Sequence, residues 1–395
     1  MHRRWFGTAL LAACGACGGG GATEPPDAPC ATATEIEGLR LNQIQVVGSH
    51  NSYRRHTYPP IYAFLETIAA SLPADVDPAS LDYDHLPLPE QLGDYRMRGL
   101  ELDVFNDPEG GRFYDRQGLR FVNEPVESNI PELMEPGLKV LHIPDFDYET
   151  HHTTFKSALQ TIAAWSDAHP MHVPLVVQLE TKETTVADAL PNFMLTTAVP
   201  FDAAAADAID AEIRSVFADS RLITPDEVRG AHATLEEAVL AGGWPTLAAA
   251  RGRLLFFMEG AAVDEYVAGA PGLVGRLVFV DAQPGAPEAA VVLANDPVGS
   301  QAAITDMVSR GYIVRTMADS GTVQARTGDE SIMMAALASG AQVVSTDYYR
   351  PDPRGKTPGN GWTNYRVKLP GGGPARTNPV SGVAGATAPV RICEE

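Results

Sequence analysis

Short apolar runs recur along the chain, and many end on polar residues with reactive side chains. Residues 43–47 read Q-I-Q-V-V and run into G-S-H-N-S-Y at 48–53. Residues 99–105 read G-L-E-L-D-V-F, so Glu101 and Asp103 stand two apart and share one face of a strand. Residues 138–143 carry His142, and 173–182, V-P-L-V-V-Q-L-E-T-K, carry Glu180 and Lys182. Further runs lie at 252–259, 276–282, 311–319 and 341–348. Most are apolar through the middle, as strands buried on both faces are.

Helical stretches fall between the runs, at 154–169, 201–218, 231–240, 300–310 and 331–339. Eight strands alternating with helices predict an α/β fold, a TIM-type (β/α)8 barrel in a single domain, and not an open doubly wound sheet. No glycine fingerprint for a dinucleotide follows the first strand. A barrel gathers its strand ends at one rim, where polar residues from distant positions meet. The long insertions 54–95 and 106–137 follow strands that carry reactive residues and are expected to roof that rim.

Composition narrows the class. The 395 residues are 45% hydrophobic and 20% charged, an ordinary globular balance. A formal charge of −21 argues against nucleic acid. It would also repel anionic lipid unless a divalent cation offsets it locally. The start, M-H-R-R-W-F-G-T-A-L-L-A-A-C, has the basic and apolar segments of an export signal. Its ending, Leu11–Cys14, resembles a bacterial lipoprotein box, which implies cleavage before Cys14 and acylation of that thiol. The expected layout is a signal peptide at 1–14, a Gly- and Pro-rich tether at 15–35, the barrel at 36–350 and a loop-rich tail at 351–395. The product is exported, either lipid-anchored in the cell envelope or extracellular. Cys17 falls in the tether. Cys30 and Cys393 flank the folded region, and a closed barrel makes first and last strands neighbours, so a disulfide between them is expected.

Glu180 ends a run that ought to be buried, and a buried carboxylate needs a partner, for which a metal ion is the obvious candidate. Two imidazoles, three carboxylates and an amide from four strand ends suit metal-assisted phosphoryl transfer. In order, S-H-N-S-Y, E-L-D, the histidine of K-V-L-H-I-P-D-F-D-Y and P-L-V-V-Q-L-E resemble the catalytic half of the phosphatidylinositol-specific phospholipase C superfamily, most of all its calcium-dependent bacterial branch.

That resemblance implies an enzyme that acts on a phosphoinositide at a membrane surface; a monomer is expected. It would cleave phosphatidylinositol to diacylglycerol and an inositol (cyclic) phosphate by attack of the inositol 2-hydroxyl. It implies catalytic roles for His50, toward the 2-hydroxyl, and His142, toward the leaving oxygen, with Asn51, Glu101, Asp103 and Glu180 as ligands of Ca2+. Lys182 and Arg315 would contact substrate. Met317 stands where eukaryotic members place a tyrosine that stacks on inositol, so Tyr348 or an aromatic of the insertions would stack instead. The gap from Asp103 to His142 is longer than in those members, and His85, His151 and His152 are the other candidates for the second histidine. Two alternatives remain: a glycerophosphodiester phosphodiesterase, whose H-R-G start is not matched by Asn51 and Ser52, and a non-catalytic lipid- or sugar-binding lipoprotein.

Overall fold

The computed structural model describes residues 27–72, 77–357, 359–382 and 388–394. Here the apolar runs become strands of a single sheet. The first are β1 (Ile44–Ser49), β2 (Gly99–Phe105), β3 (Lys139–Val140) and β4 (Leu175–Lys182). Next come β5 (Leu254–Gly260), β6 (Val278–Val280), β7 (Val291–Leu293), β8 (Ile313–Met317) and β9 (Val343–Thr346). The tail adds β10 (Ala375–Thr377) and β11 (Arg391–Ile392).

The parallel path runs β6-β5-β4-β2-β1-β9-β8-β7, and a bridge between Asp281 and Val291 brings its ends together. This is the expected α/β architecture, a nearly closed barrel of eight parallel strands with helices between them. Every residue of β1 and β2 is buried, since barrel strands have side chains on one face and helices on the other. The helix Phe155–Ala168 is one such cover. Its Thr154 cap accepts from the Ser157 amide at 3.2 Å, and it buries Phe155, Leu159 and Ile162.

The eight strands are not the eight expected. Residues 138–143 do not form a barrel strand: β3 is two residues long and pairs antiparallel with the outer end of β2, at Val104 and Phe105. β2 instead pairs directly with β4 over seven register positions, which leaves no place between them. The eighth strand of the barrel is instead β7, between β6 and β8, whose three residues follow a Gly- and Pro-rich stretch and are too few to show a period.

β1 meets β2 through Gly48 opposite Gly99. A Cβ on Gly48 would lie 2.8 Å from the Gly99 Cα, closer than van der Waals contact allows, so this strand crossing requires glycine.

The chain ends meet at the opposite side from the strand C-termini. β10 pairs antiparallel with β1, β11 pairs with β10, and a disulfide joins Cys30 to Cys393 with 5.7 Å between Cα atoms. Residues 27–35, the end of the expected tether, are held here too: the Ala28 and Ala31 amides donate to Gly371 and Arg391 carbonyls. Trp362, Tyr365, Val367 and Leu369 of the tail are buried against the barrel. The segment expected to be a signal peptide, with Cys14 and Cys17, lies outside the described residues. Among the described residues, no helix is long and apolar enough to cross a membrane.

Candidate active site

Strand register assembles the carboxylates. β2 and β4 place Asp103 opposite Glu180, and β4 and β5 place Glu180 opposite Glu259. Glu101 follows the same face two residues before Asp103. As a result Glu101, Asp103 and Glu180 offer oxygens within 4.8 Å of one another. Asp103 is fully buried, and neither of its carboxylate oxygens accepts a well-formed hydrogen bond. Its charged contact is Lys182 Nζ, 2.5 Å from Oδ2, and the same Nζ lies 3.5 Å from Glu180 Oε2. Burial, with repulsion from Glu180 and Glu101, pushes the Asp103 carboxyl up to about 7 against the pull of Lys182. Three converging carboxylates, one fully buried and accepting no well-formed hydrogen bond, form a hard-oxygen set that fits calcium.

The S-H-N-S-Y turn brings in the first histidine. Asn51 adopts a left-handed conformation (φ 48°), which asparagine tolerates better than most residues, and the chain turns sharply after β1. Ser52 locks the turn to β2: its amide donates to the Glu101 carbonyl and its hydroxyl accepts from the Glu101 amide. His50 Nδ1 lies 2.8 Å from Asp347 Oδ1, and Nε2 faces Glu101 at 3.9 Å. Burial pulls the His50 imidazole down, but the charges of Asp347 and Glu101 outweigh it and raise the pKa to about 9. The Asn51 amide oxygen accepts from Tyr53 at 3.3 Å, and its nitrogen donates to the Tyr83 hydroxyl at 3.1 Å.

His142 stands just past β3, with Nδ1 2.7 Å from Asp147 Oδ2. A tight loop closed by the Ile143–Asp147 bridge folds that aspartate back. Asp147 also binds buried Arg54, 2.6 Å from Nε, and Thr57. Burial, followed by the Lys182 charge, lowers His142 to about 4 in spite of Asp147. The two imidazoles are thus shifted in opposite directions, His50 upward by its two carboxylates and His142 downward chiefly by burial.

His50, Glu101, Glu180, Arg315 and Met317 line a cavity of about 760 Å³ at the strand C-termini. His142, Glu180 and Lys182 line a neighbouring hollow, so Glu180 borders both. Arg315 is buried and donates to Glu101, to Asn295 at 2.6 Å and to Ser345 at 3.2 Å. Tyr348 is not on the wall. β9 ends by turning Asp347 toward His50, and alternation sends Tyr348 the other way, where it is buried against Tyr83, Trp362 and Tyr365. Tyr348, expected to stack on the sugar, thus does not face the cavity. Of the remaining histidines, His85 Nε2 lies 2.6 Å from the His50 carbonyl and His151 Nε2 2.9 Å from the His85 carbonyl, so both brace backbone.

Four carboxylates escaped sequence reasoning: Asp147, Glu259, Asp319 and Asp347. Glu259, Asp319 and Asp347 end or nearly end apolar runs, the same signal that singles out Glu180, and all three line the cavity. Asp147 carries no such signal, because it reaches the site through a loop.

Barrel and site together define a class: a β/α barrel with two carboxylate-backed imidazoles beside a carboxylate pocket suited to a divalent cation. The model of calcium-dependent phosphoinositide phospholipase C matches residues 39–379, and the chain belongs to that family. No curated protein matches the chain. Among solved structures, a Ca2+-dependent phosphatidylinositol-specific phospholipase C from Streptomyces antibioticus is 18% identical, with TM-score 0.46, covering 79% of this chain and 95% of its own. A calcium-dependent phosphoinositol-specific phospholipase C from a Pseudomonas species is 15% identical, with TM-score 0.48, covering 83% and 95%. The phosphatidylinositol-specific phospholipase C of Listeria monocytogenes is 9% identical, with TM-score 0.43, covering 78% and 89%. The barrel rests on its own strand pairing and the family on the match over residues 39–379.

Proposed function

We propose that the chain cleaves phosphatidylinositol to diacylglycerol and an inositol phosphate, by attack of the inositol 2-hydroxyl on phosphorus. The observation that carries this reading is the placement of two imidazoles, each backed by a carboxylate, beside one carboxylate pocket at the rim. Glu101, Asp103 and Glu180, with the Asn51 amide oxygen, would hold calcium. When bound, calcium supplies charge that offsets the phosphodiester and acidifies a coordinated hydroxyl.

His50 takes the 2-hydroxyl proton, and His142 returns a proton to the departing glycerol oxygen. Asp347 and Asp147 fix the ring orientations and the tautomers, each engaging Nδ1 so that Nε2 faces the reactants. Loading the site favours both roles. Neutralising Glu101 weakens the field that keeps His50 protonated, and a phosphate anion beside His142 raises its affinity for a proton. Arg315 holds Glu101 from the barrel side.

An oxidising compartment suits the Cys30–Cys393 disulfide, and acylation at Cys14 would tether the enzyme next to its substrate. The test is product analysis by 31P NMR with phosphatidylinositol vesicles, with calcium and with chelator. Calcium-dependent release of a cyclic inositol phosphate is expected. Glycerol phosphate from glycerophosphodiesters would favour the other phosphodiesterase, and binding without turnover a non-catalytic role.

A further inference from the structure

We propose that Lys182 is a built-in counter-cation of the carboxylate pocket, which a divalent cation must displace in order to bind. This rests on the calcium reading above and concerns the regulation of that same site.

Glu180 and Lys182 are two residues apart on β4 and so share a face. Register places Lys182 opposite Phe105, beyond Asp103 toward the rim. From there its side chain turns back into the pocket, with its nitrogen 2.5 Å from Asp103 Oδ2 and 3.5 Å from Glu180 Oε2. Calcium takes oxygen ligands at about 2.3–2.6 Å, so the ammonium already stands where a coordinated ion would touch Asp103. The two cations compete for the same oxygens and repel each other. Without either of them, Asp103 would be a buried carboxylate with no well-formed hydrogen bond and no counter-charge, a costly state. Lys182 thus lets the metal-free barrel keep its acids together, at the expense of metal affinity.

A route for the displaced side chain exists. Lys182 also borders the hollow lined by His142, Glu183 and Thr185. Turned outward, its ammonium would lie on the His142 side, where the phosphodiester is expected. Metal entry would then deliver a second positive charge to the substrate's anion, and metal and lipid would bind cooperatively.

The test compares wild type with Lys182→Met, which keeps the length of the stem and removes the charge, and with Lys182→Arg, which keeps a charge. Calcium binding is read by calorimetry without substrate, and thermal melting is read in chelator and in saturating calcium. Expected results are at least tenfold tighter calcium binding by Lys182→Met, a lower melting temperature than wild type in chelator, and closure of that gap in calcium. Lys182→Arg should bind calcium no more tightly than wild type. If Lys182→Met folds only with calcium present, the counter-cation role is upheld. If wild type binds calcium and Lys182→Met binds it equally or more weakly, displacement is overturned while the calcium site stands. If neither binds calcium and both cleave phosphatidylinositol in chelator, the metal reading itself falls, and displacement with it.

Discussion

His50 and Asp347 are 297 positions apart in sequence and 2.8 Å apart in space, Nδ1 to Oδ1. Neighbouring β1 and β9 hold them in register, Ser49 opposite Thr346, so the next residue of each strand meets across the rim. Asp347 both orients the ring and, with Glu101, holds its proton. Asp347→Asn should therefore reduce turnover by about 10²-fold and shift the His50 ionisation in the pH–rate profile to lower pH. A profile unchanged in position would leave Asp347 with a purely structural part.

The histidines are separable by leaving group. His50→Ala and His142→Ala should each lose about 10²-fold or more in turnover while still folding. A substrate with a better leaving group needs less protonation, so it should rescue His142→Ala far more than His50→Ala. Equal rescue would assign the acid elsewhere.

Metal affinity should follow the carboxylates. Glu180→Gln and Asp103→Asn are each expected to weaken calcium binding by at least tenfold in titration calorimetry, with activity lost in chelator and restored by calcium. Retention of wild-type affinity by both would exclude this pocket as the site.

Asp147 joins the site to stability. Its carboxylate pairs with Arg54, and both side chains are buried, so Asp147→Ala should cost about 3–5 kcal/mol in chemical denaturation. Although burial opposes ionisation, the Arg54 charge and the His142 contact hold the Asp147 carboxyl well below the usual range. A depressed folded pKa means its stabilisation is complete above an unfolded value of about 4 and is lost as pH falls below that. Asp147→Asn should accordingly flatten the acid limb of stability against pH; an unchanged limb would remove Asp147 from the acid response.

Gly48→Ala tests the strand crossing under the site. The added Cβ meets backbone of Gly99 and forces β1 from β2, at a cost of about 1–3 kcal/mol. Because β1 carries His50, turnover should fall as well. A variant with wild-type melting and rate would show that the crossing has slack.

The barrel class was legible because apolar middles and intervening helices are local signals, strong over runs such as 173–182. Its membership was less so. β7 is three residues long and shows no period, whereas 138–143 has the hydrophobicity of a strand but pairs across the outer end of β2. The acids were legible as polar residues closing apolar runs, and Glu101, Asp103 and Glu180 do converge. Partnership was not. That Asp347 would meet His50, or that Lys182 would turn back onto Asp103, depends on register between strands distant in sequence. Tyr348 illustrates the same limit, since one step of alternation at the end of β9 decides between cavity wall and core.

The Cys30–Cys393 bond closes a covalent ring around 363 positions of chain, with the rim loops as arcs of that ring. Leu190, Phe193 and Met194 stand exposed on one such arc, after the strand that carries Glu180 and Lys182. A protease that cuts there opens the ring but frees no fragment, since both new pieces stay joined through the sulfur bridge. The two pieces stay linked until a thiol reductant reaches the bridge, so in an oxidising environment this enzyme can be cut at its rim and remain one molecule.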